Sequence, residues 1–190
     1  MRMFSETLAV IVNGELTQMF SSRGVASREN YEQRIYAKTA SMFELATRTA
    51  AILGEVGDAK IDAATRFGYS IGMAFQIVDD ILDFTGEQAT VGKPVASDLR
   101  QGLVTLPALY YLEANPDDAD MALLQGGEEP GQAIMTRLVA AIRASGAIHQ
   151  AMTEAHHYVN TALDLLAQMP ECVERQALEE LARYIVDRRL

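Results

Sequence analysis

One cysteine, no tryptophan, five prolines and only 16 basic residues mark what this 190-residue chain is short of. Each shortage excludes something. A lone Cys172 allows neither an intrachain disulfide framework nor a thiolate metal cluster, which suits a reducing, cytoplasmic setting. With 26 acidic residues against 16 basic ones the formal charge is -10, the opposite of a nucleic-acid binder's electrostatic footprint. No apolar run approaches the roughly 20 residues of a membrane span, so no transmembrane segment is expected. The opening "MRMFSETLAVIVNG" mimics a short signal peptide, yet Glu6 interrupts its apolar run and no small-residue cleavage site follows. It reads as helix.

What remains is an apolar, well-mixed chain long enough for one sizeable core. Apolar spacing is helical nearly everywhere, and no segment sustains a period of two. Helices are expected over about 3–20, 29–54, 58–84, 107–114, 117–124, 131–145, 148–168 and 172–188. Gly54 and Gly57 close the second, and Asp58 is placed to cap the third. The longest irregular stretch is "TGEQATVGKPVASDLRQGLVT", with turn residues and the alternating charges Lys93, Asp98 and Arg100. Loops of about twenty residues inside a compact domain are usually functional or disordered. "NPDDAD" at 115–120 reads as a turn or helix start with solvated carboxylates. The expected fold class is all-α, one domain of packed, mostly long helices over residues 1–190.

The long helices each carry a polar mark. In "AFQIVDDILDF", residues 74–84, Ile71, Ala74, Phe75, Ile77, Val78, Ile81, Leu82 and Phe84 share one broad side of a helical wheel. Gly72, Gln76, Asp79, Asp80 and Asp83 gather within an arc of roughly 100° on the other. Like charges three and four residues apart repel, and a divalent cation converts that repulsion into coordination. Oxygen-only ligands favour a hard ion such as Mg²⁺, held by one or two carboxylates plus substrate phosphates. The competing reading is an ordinary solvated face. Against it, the helix has no Lys, Arg or Glu between Arg66 and Glu87. On the second helix Lys38 falls within the stripe of Ile35, Met42, Leu45, Ala46, Thr49 and Leu53, with Thr39 at its border. A lysine there either snorkels out or meets an anion. On the first helix Glu15 and Gln18 lie among Phe4, Leu8, Ile11 and Met19, where structural pairing explains them. A common cause is a polar cavity between helices, acidic on one wall and basic opposite.

These stretches resemble those of the polyprenyl synthetase family, the trans-isoprenyl diphosphate synthases. "FQIVDDILDF" resembles the family's second aspartate-rich motif, "NGELTQ" its G-E-x-x-Q helix, and "AKTASMFELA" its K-T-A motif. "GKPVASDLRQGLVTLPALYYL" resembles the segment that follows the second acidic motif in long-chain members, with Lys93 fourteen residues after Asp79. The resemblance covers the chain in register. It implies an isoprenoid-synthase-type helical bundle and a prenyltransferase that joins an allylic prenyl diphosphate to isopentenyl diphosphate. It implies a Mg²⁺ site at Asp79, Asp80 and Asp83, with Asp79 the principal ligand and Asp80 and Asp83 ligating the ion or holding metal-bound water. Lys38 and Lys93 would grip the allylic diphosphate, and Thr39 and Gln76 would lie near the developing cation.

The sequence departs from the family pattern in one respect: no first aspartate-rich motif with paired arginines is present. The expectation is therefore a bundle incomplete at its N-terminus, inactive by itself, acting as a homodimer or with a partner chain that supplies the missing half. Alternatives are a non-catalytic or complementing subunit of a heteromeric synthase, or a terpene-cyclase-like protein. The loop after the acidic motif favours chain elongation over cyclisation.

Overall fold

The computed structural model describes residues 1–20, 27–86, 95–126 and 130–188, the side chains of 18–20 excepted. In chain order the helices are α1 (Arg2–Phe20), α2 (Arg28–Ile35), α3 (Ser41–Leu53), α4 (Asp58–Thr85), α5 (Ser97–Arg100), α6 (Leu106–Ala114), α7 (Ala119–Gln125), α8 (Gln132–Ala144), α9 (Ala147–Leu166) and α10 (Val173–Asp187). No strand occurs among the described residues, and none of their helices is long and apolar enough to cross a membrane. The expected helices are all found, most bounds within two residues. The short α5 is the addition, lying inside what reads as loop.

The structure gathers into two compact units, Met1–Met19, Gln33–Val78 and Glu154–Arg189 in one, and Phe20–Glu32 and Asp79–Thr153 in the other. The boundaries fall within α1, α2, α4 and α9.

In the first unit, α2 continues into α3 through a π-helical turn, Tyr36–Ala40, with right-handed helical dihedrals at both junctions. A π turn holds more residues than an α turn, so it slips the downstream phase by about 90°. That slip overturns the expected stripe. Met42, Ala46 and Leu53 are exposed, whereas Ala37, Ala40 and Ser41 are buried. Lys38 is exposed as well, so it does not sit on a covered apolar face. The face that is covered packs closely on α4. A Cβ on Gly72 would collide with the Ala40 backbone and Phe43, and one on Gly68 with the Phe43 carbonyl and Thr47. Glycine at both positions lets the two helices approach.

The expected inward face of α1 is also displaced. Phe4 and Leu8 are exposed, together with Val12, Leu16 and Glu15; Ile11 is half-buried as expected, on a side shared with the half-buried Met3, Thr7, Val10 and Gly14. Gly14 sets the contact, because a Cβ there would meet the side chain of Ala37. The closest backbone approach, rather than the largest apolar residues, decides which side of this helix is covered. The Gln18 side chain lies outside the described residues.

From Phe67 to Phe84, α4 is buried on nearly every side. Over that span it carries no lysine, arginine or glutamate, and its only charged side chains are Asp79, Asp80 and Asp83.

In the second unit, Ile81, Phe84, Leu99, Leu106, Leu109, Met121, Leu124, Leu138 and Ile142 form the core. Asp118 accepts from the backbone N–H groups of Asp120 and Met121 and caps α7. The solvated carboxylates expected of "NPDDAD" are corrected at two positions. Asp118 also accepts the Tyr111 hydroxyl at 2.8 Å. Asp120 takes two 2.7 Å hydrogen bonds from the Arg137 guanidinium, which hold its carboxyl below the ordinary carboxylate range.

Candidate functional site

Gln76, Asp79, Asp80 and Asp83 are carried by one helix, α4, at spacings of three, four and seven. The solvated-face alternative fails on burial: Gln76 is 6% exposed and Asp80 4%. Asp79 and Asp83 are half-buried. Buried polar side chains need partners from the fold, and those of Gln76, Asp80 and Asp83 are seen.

In the first unit, the Thr39 hydroxyl donates to Gln76 Oε1 at 2.6 Å. Thr39 belongs to the π turn, and its place on that turn allows it to reach Gln76. π turns often mark functional positions, because the widened backbone re-aims side chains. The bond orients the Gln76 amide and joins the two groups expected at the developing cation. Beside them, the Tyr36 hydroxyl is pushed above its ordinary range, first by burial and then by the Glu44 carboxylate. Phe75 stacks against Phe43 and receives the Arg188 guanidinium over its ring at 4.3 Å.

In the second unit, Asp80 Oδ2 accepts the Tyr31 hydroxyl at 2.9 Å in a buried contact. Tyr31 is itself 1% exposed. The two oxygens of Asp83 turn toward the start of α5. Oδ1 accepts from the Ser97 backbone N–H at 3.0 Å and the Ser97 hydroxyl at 2.8 Å, and Oδ2 from the Asp98 N–H at 3.1 Å. Asp80 thus takes its partner from α2, and Asp83 takes its partners from α5. A shared helix face fixes where side chains start; the nearest donors decide where their oxygens end.

Among the described residues no three Asp, Glu, His or Cys side chains converge as a ready-made metal cage. That is compatible with Mg²⁺, which dehydrates reluctantly and commonly takes one or two carboxylates, water and substrate phosphate. The donor set fits: it is all oxygen, with Asp79 and Asp80 adjacent and Asp80 held by a buried hydroxyl. Lys38 is exposed on the π turn. Lys93 lies outside the described residues.

Two contributors were not singled out from sequence, Tyr31 and Ser97. Tyr31 precedes the buried Ile35 by one helical turn, a faint signal that it faces inward. Ser97 meets Asp83 across 14 residues of chain, and no local pattern marks such a pairing.

Comparison with known proteins places these features. The polyprenyl synthetase family model matches residues 1–142. A decaprenyl-diphosphate synthase of Dictyostelium discoideum is 37% identical over 97% of this chain and 40% of its own length. Component 2 of a heptaprenyl diphosphate synthase from Geobacillus stearothermophilus is 35% identical over 97% of this chain and 57% of its own. The crystal structure of heptaprenyl diphosphate synthase from Staphylococcus aureus superposes with a TM-score of 0.91 at 30% identity, covering 98% of this chain and 59% of that one. A polyprenyl synthase from Caulobacter crescentus, complexed with calcium and isoprenyl diphosphate, gives 0.87 at 34% identity, covering 100% and 58%. The chain thus spans about half the length of the curated relatives it matches. With an all-α fold, the acidic motif on α4 and a family match over most of its residues, this chain belongs to the polyprenyl synthetase family.

Proposed function

We propose that the chain forms the second acidic wall of a long-chain polyprenyl diphosphate synthase, which extends an allylic prenyl diphosphate with isopentenyl diphosphate. The observation that carries this reading is Asp80, a buried carboxylate adjacent to Asp79 on a helix buried nearly all round. Two adjacent carboxylates are what Mg²⁺ commonly takes from a protein, alongside water and substrate phosphate. The names of the relatives supply the reaction class.

Asp79 and Asp80 hold Mg²⁺, with Asp79 the principal ligand. When bound, Mg²⁺ neutralises charge that builds on the diphosphate as the allylic carbon–oxygen bond breaks. Lys38 and Lys93 grip the same diphosphate, which departs with the bonding electrons. Thr39 and Gln76 present oxygen dipoles to the allylic cation until the double bond of isopentenyl diphosphate attacks it and a proton is lost. A wall of Phe, Ile, Met and Ala side chains excludes water that would quench the cation.

No first aspartate-rich motif occurs in these 190 residues, so the chain by itself has little or no synthase activity. It works as a homodimer or with a chain that supplies the other wall. Two relatives named component 2 of a heptaprenyl diphosphate synthase favour a complementing subunit as the second reading. The test is calorimetric titration with Mg²⁺ and an allylic diphosphate analogue, alongside a radiolabelled isopentenyl diphosphate assay. Metal-dependent binding that Asp79→Asn abolishes, with little turnover, is the expected pair of results. Rapid turnover by the isolated chain would overturn the one-wall reading, and absence of binding would overturn the functional one.

A further inference from the structure

Within the acidic motif, Asp83 is held differently from its neighbours. Its backbone carbonyl accepts the Ala96 N–H at 2.7 Å, and its carboxylate accepts the Ser97 N–H, the Ser97 hydroxyl and the Asp98 N–H. One residue thus receives three consecutive backbone N–H groups, 96 to 98, where the chain enters α5. The first N–H groups of a helix have no intrahelical acceptor, and α5 is only four residues long. Its own N-cap, Ala96, supplies no side-chain bond and sits in the left-handed region with φ 55° and ψ 50°. A non-glycine residue holds that conformation at a cost and persists there only where surrounding contacts impose it. Ala96 is fully buried, and Leu99 one turn on is buried too, so the start of α5 is tied down by Asp83 on one side and by core packing on the other.

We infer that Asp83 is a positioning residue: its carboxylate caps α5 from α4 and fixes the return of the chain after the acidic motif, and it is not a metal ligand. Oδ1 serves two donors and Oδ2 one, at 2.8–3.1 Å, so the orientation of this carboxylate is set by the start of α5. The motif then divides its labour. Asp79 and Asp80 face the cation and Asp83 builds the frame. This division rests on the metal reading proposed above, whereas the capping role rests on geometry alone.

The experiment uses the full chain in four forms: wild type, Asp79→Asn, Asp83→Asn and Ser97→Ala. Mn²⁺ affinity in the presence of inorganic pyrophosphate is followed by electron paramagnetic resonance, and amide hydrogen exchange is followed across residues 95–103. Asp79→Asn is expected to weaken Mn²⁺ by about tenfold or more, as ligand loss does, without changing exchange at 95–103. Asp83→Asn is expected to leave Mn²⁺ affinity within about threefold and to speed exchange at Ser97 and Asp98 by about tenfold. Ser97→Ala, which removes one hydroxyl, should speed the same amides by a smaller factor; it decides the matter if Asp83→Asn fails to fold. Loss of Mn²⁺ on Asp83→Asn with unchanged exchange would overturn the inference, as would unchanged exchange in Ser97→Ala. If wild type binds no Mn²⁺, the metal reading and the division of labour fall together, while the exchange result separately decides whether Asp83 caps α5.

Discussion

At the scale of single residues, the buried carboxylate of Asp80 imposes the sharpest constraint. Tyr31 donates to it with both groups out of solvent, and a buried charge that loses a donor keeps its desolvation cost. Tyr31→Phe, which removes only the hydroxyl, is therefore expected to lower stability by about 1–3 kcal/mol, measured by urea denaturation. An unchanged midpoint would show that the bond contributes nothing. Tyr111 offers a test by pH. Burial first, and then its donation to the Asp118 carboxylate, push its hydroxyl up to about 12. The folded chain thus holds this proton more tightly than the unfolded one, where a tyrosine ionises near 10. Its stabilisation is complete below about pH 10 and is lost as the pH rises toward 12. In Tyr111→Phe the fall in stability between those pH values should be shallower; an identical slope would remove Tyr111 as its cause.

At the scale of elements, the π turn at Tyr36–Ala40 and the glycines of α4 act together. The turn rotates α3 so that Ala40, Phe43 and Thr47 meet α4, and Gly68 and Gly72 leave room for them. Alanine is ordinarily the better helix former, by about 1 kcal/mol over glycine. Gly72→Ala should nevertheless destabilise, by about 1–3 kcal/mol, because the new methyl meets backbone rather than a movable side-chain tip. Thermal unfolding measures this, and a stabilised variant would mean that the two helices can part without loss. The bounds of these helices were legible from periodicity and from Asp58, Gly54 and Gly57. The π turn was not, since a wheel drawn at one fixed angle per residue cannot register a local change of pitch. Lys38, Met42 and Leu53 were misplaced for that single reason.

At the scale of the whole molecule, α1 exposes Phe4, Leu8, Val12 and Leu16 at a spacing of four, each about half accessible. A continuous apolar row of this kind is rare on a chain that stays monomeric. Sedimentation velocity should show concentration-dependent association of the purified chain. Leu8→Glu combined with Val12→Glu should weaken it by about tenfold or more, because a charge would have to be desolvated at the contact. A monodisperse monomer at high concentration would refute this. The net charge of -10 opposes association, so raising the salt concentration should strengthen it.

The sequence by itself determined the all-α class, the order of the long helices and the family. Apolar period, caps and motif spacing are local properties that survive without coordinates. It also brought Gln76, Asp79, Asp80 and Asp83 onto one helix, since spacings of three, four and seven permit little else. What each of those side chains touches was decided only by the tertiary structure. Tyr31 is 49 residues from Asp80, Thr39 is 37 from Gln76, and Ser97 is 14 from Asp83. Hydrogen-bond partners so far apart in the chain are chosen by packing, and packing turned one carboxylate of the motif toward a helix start.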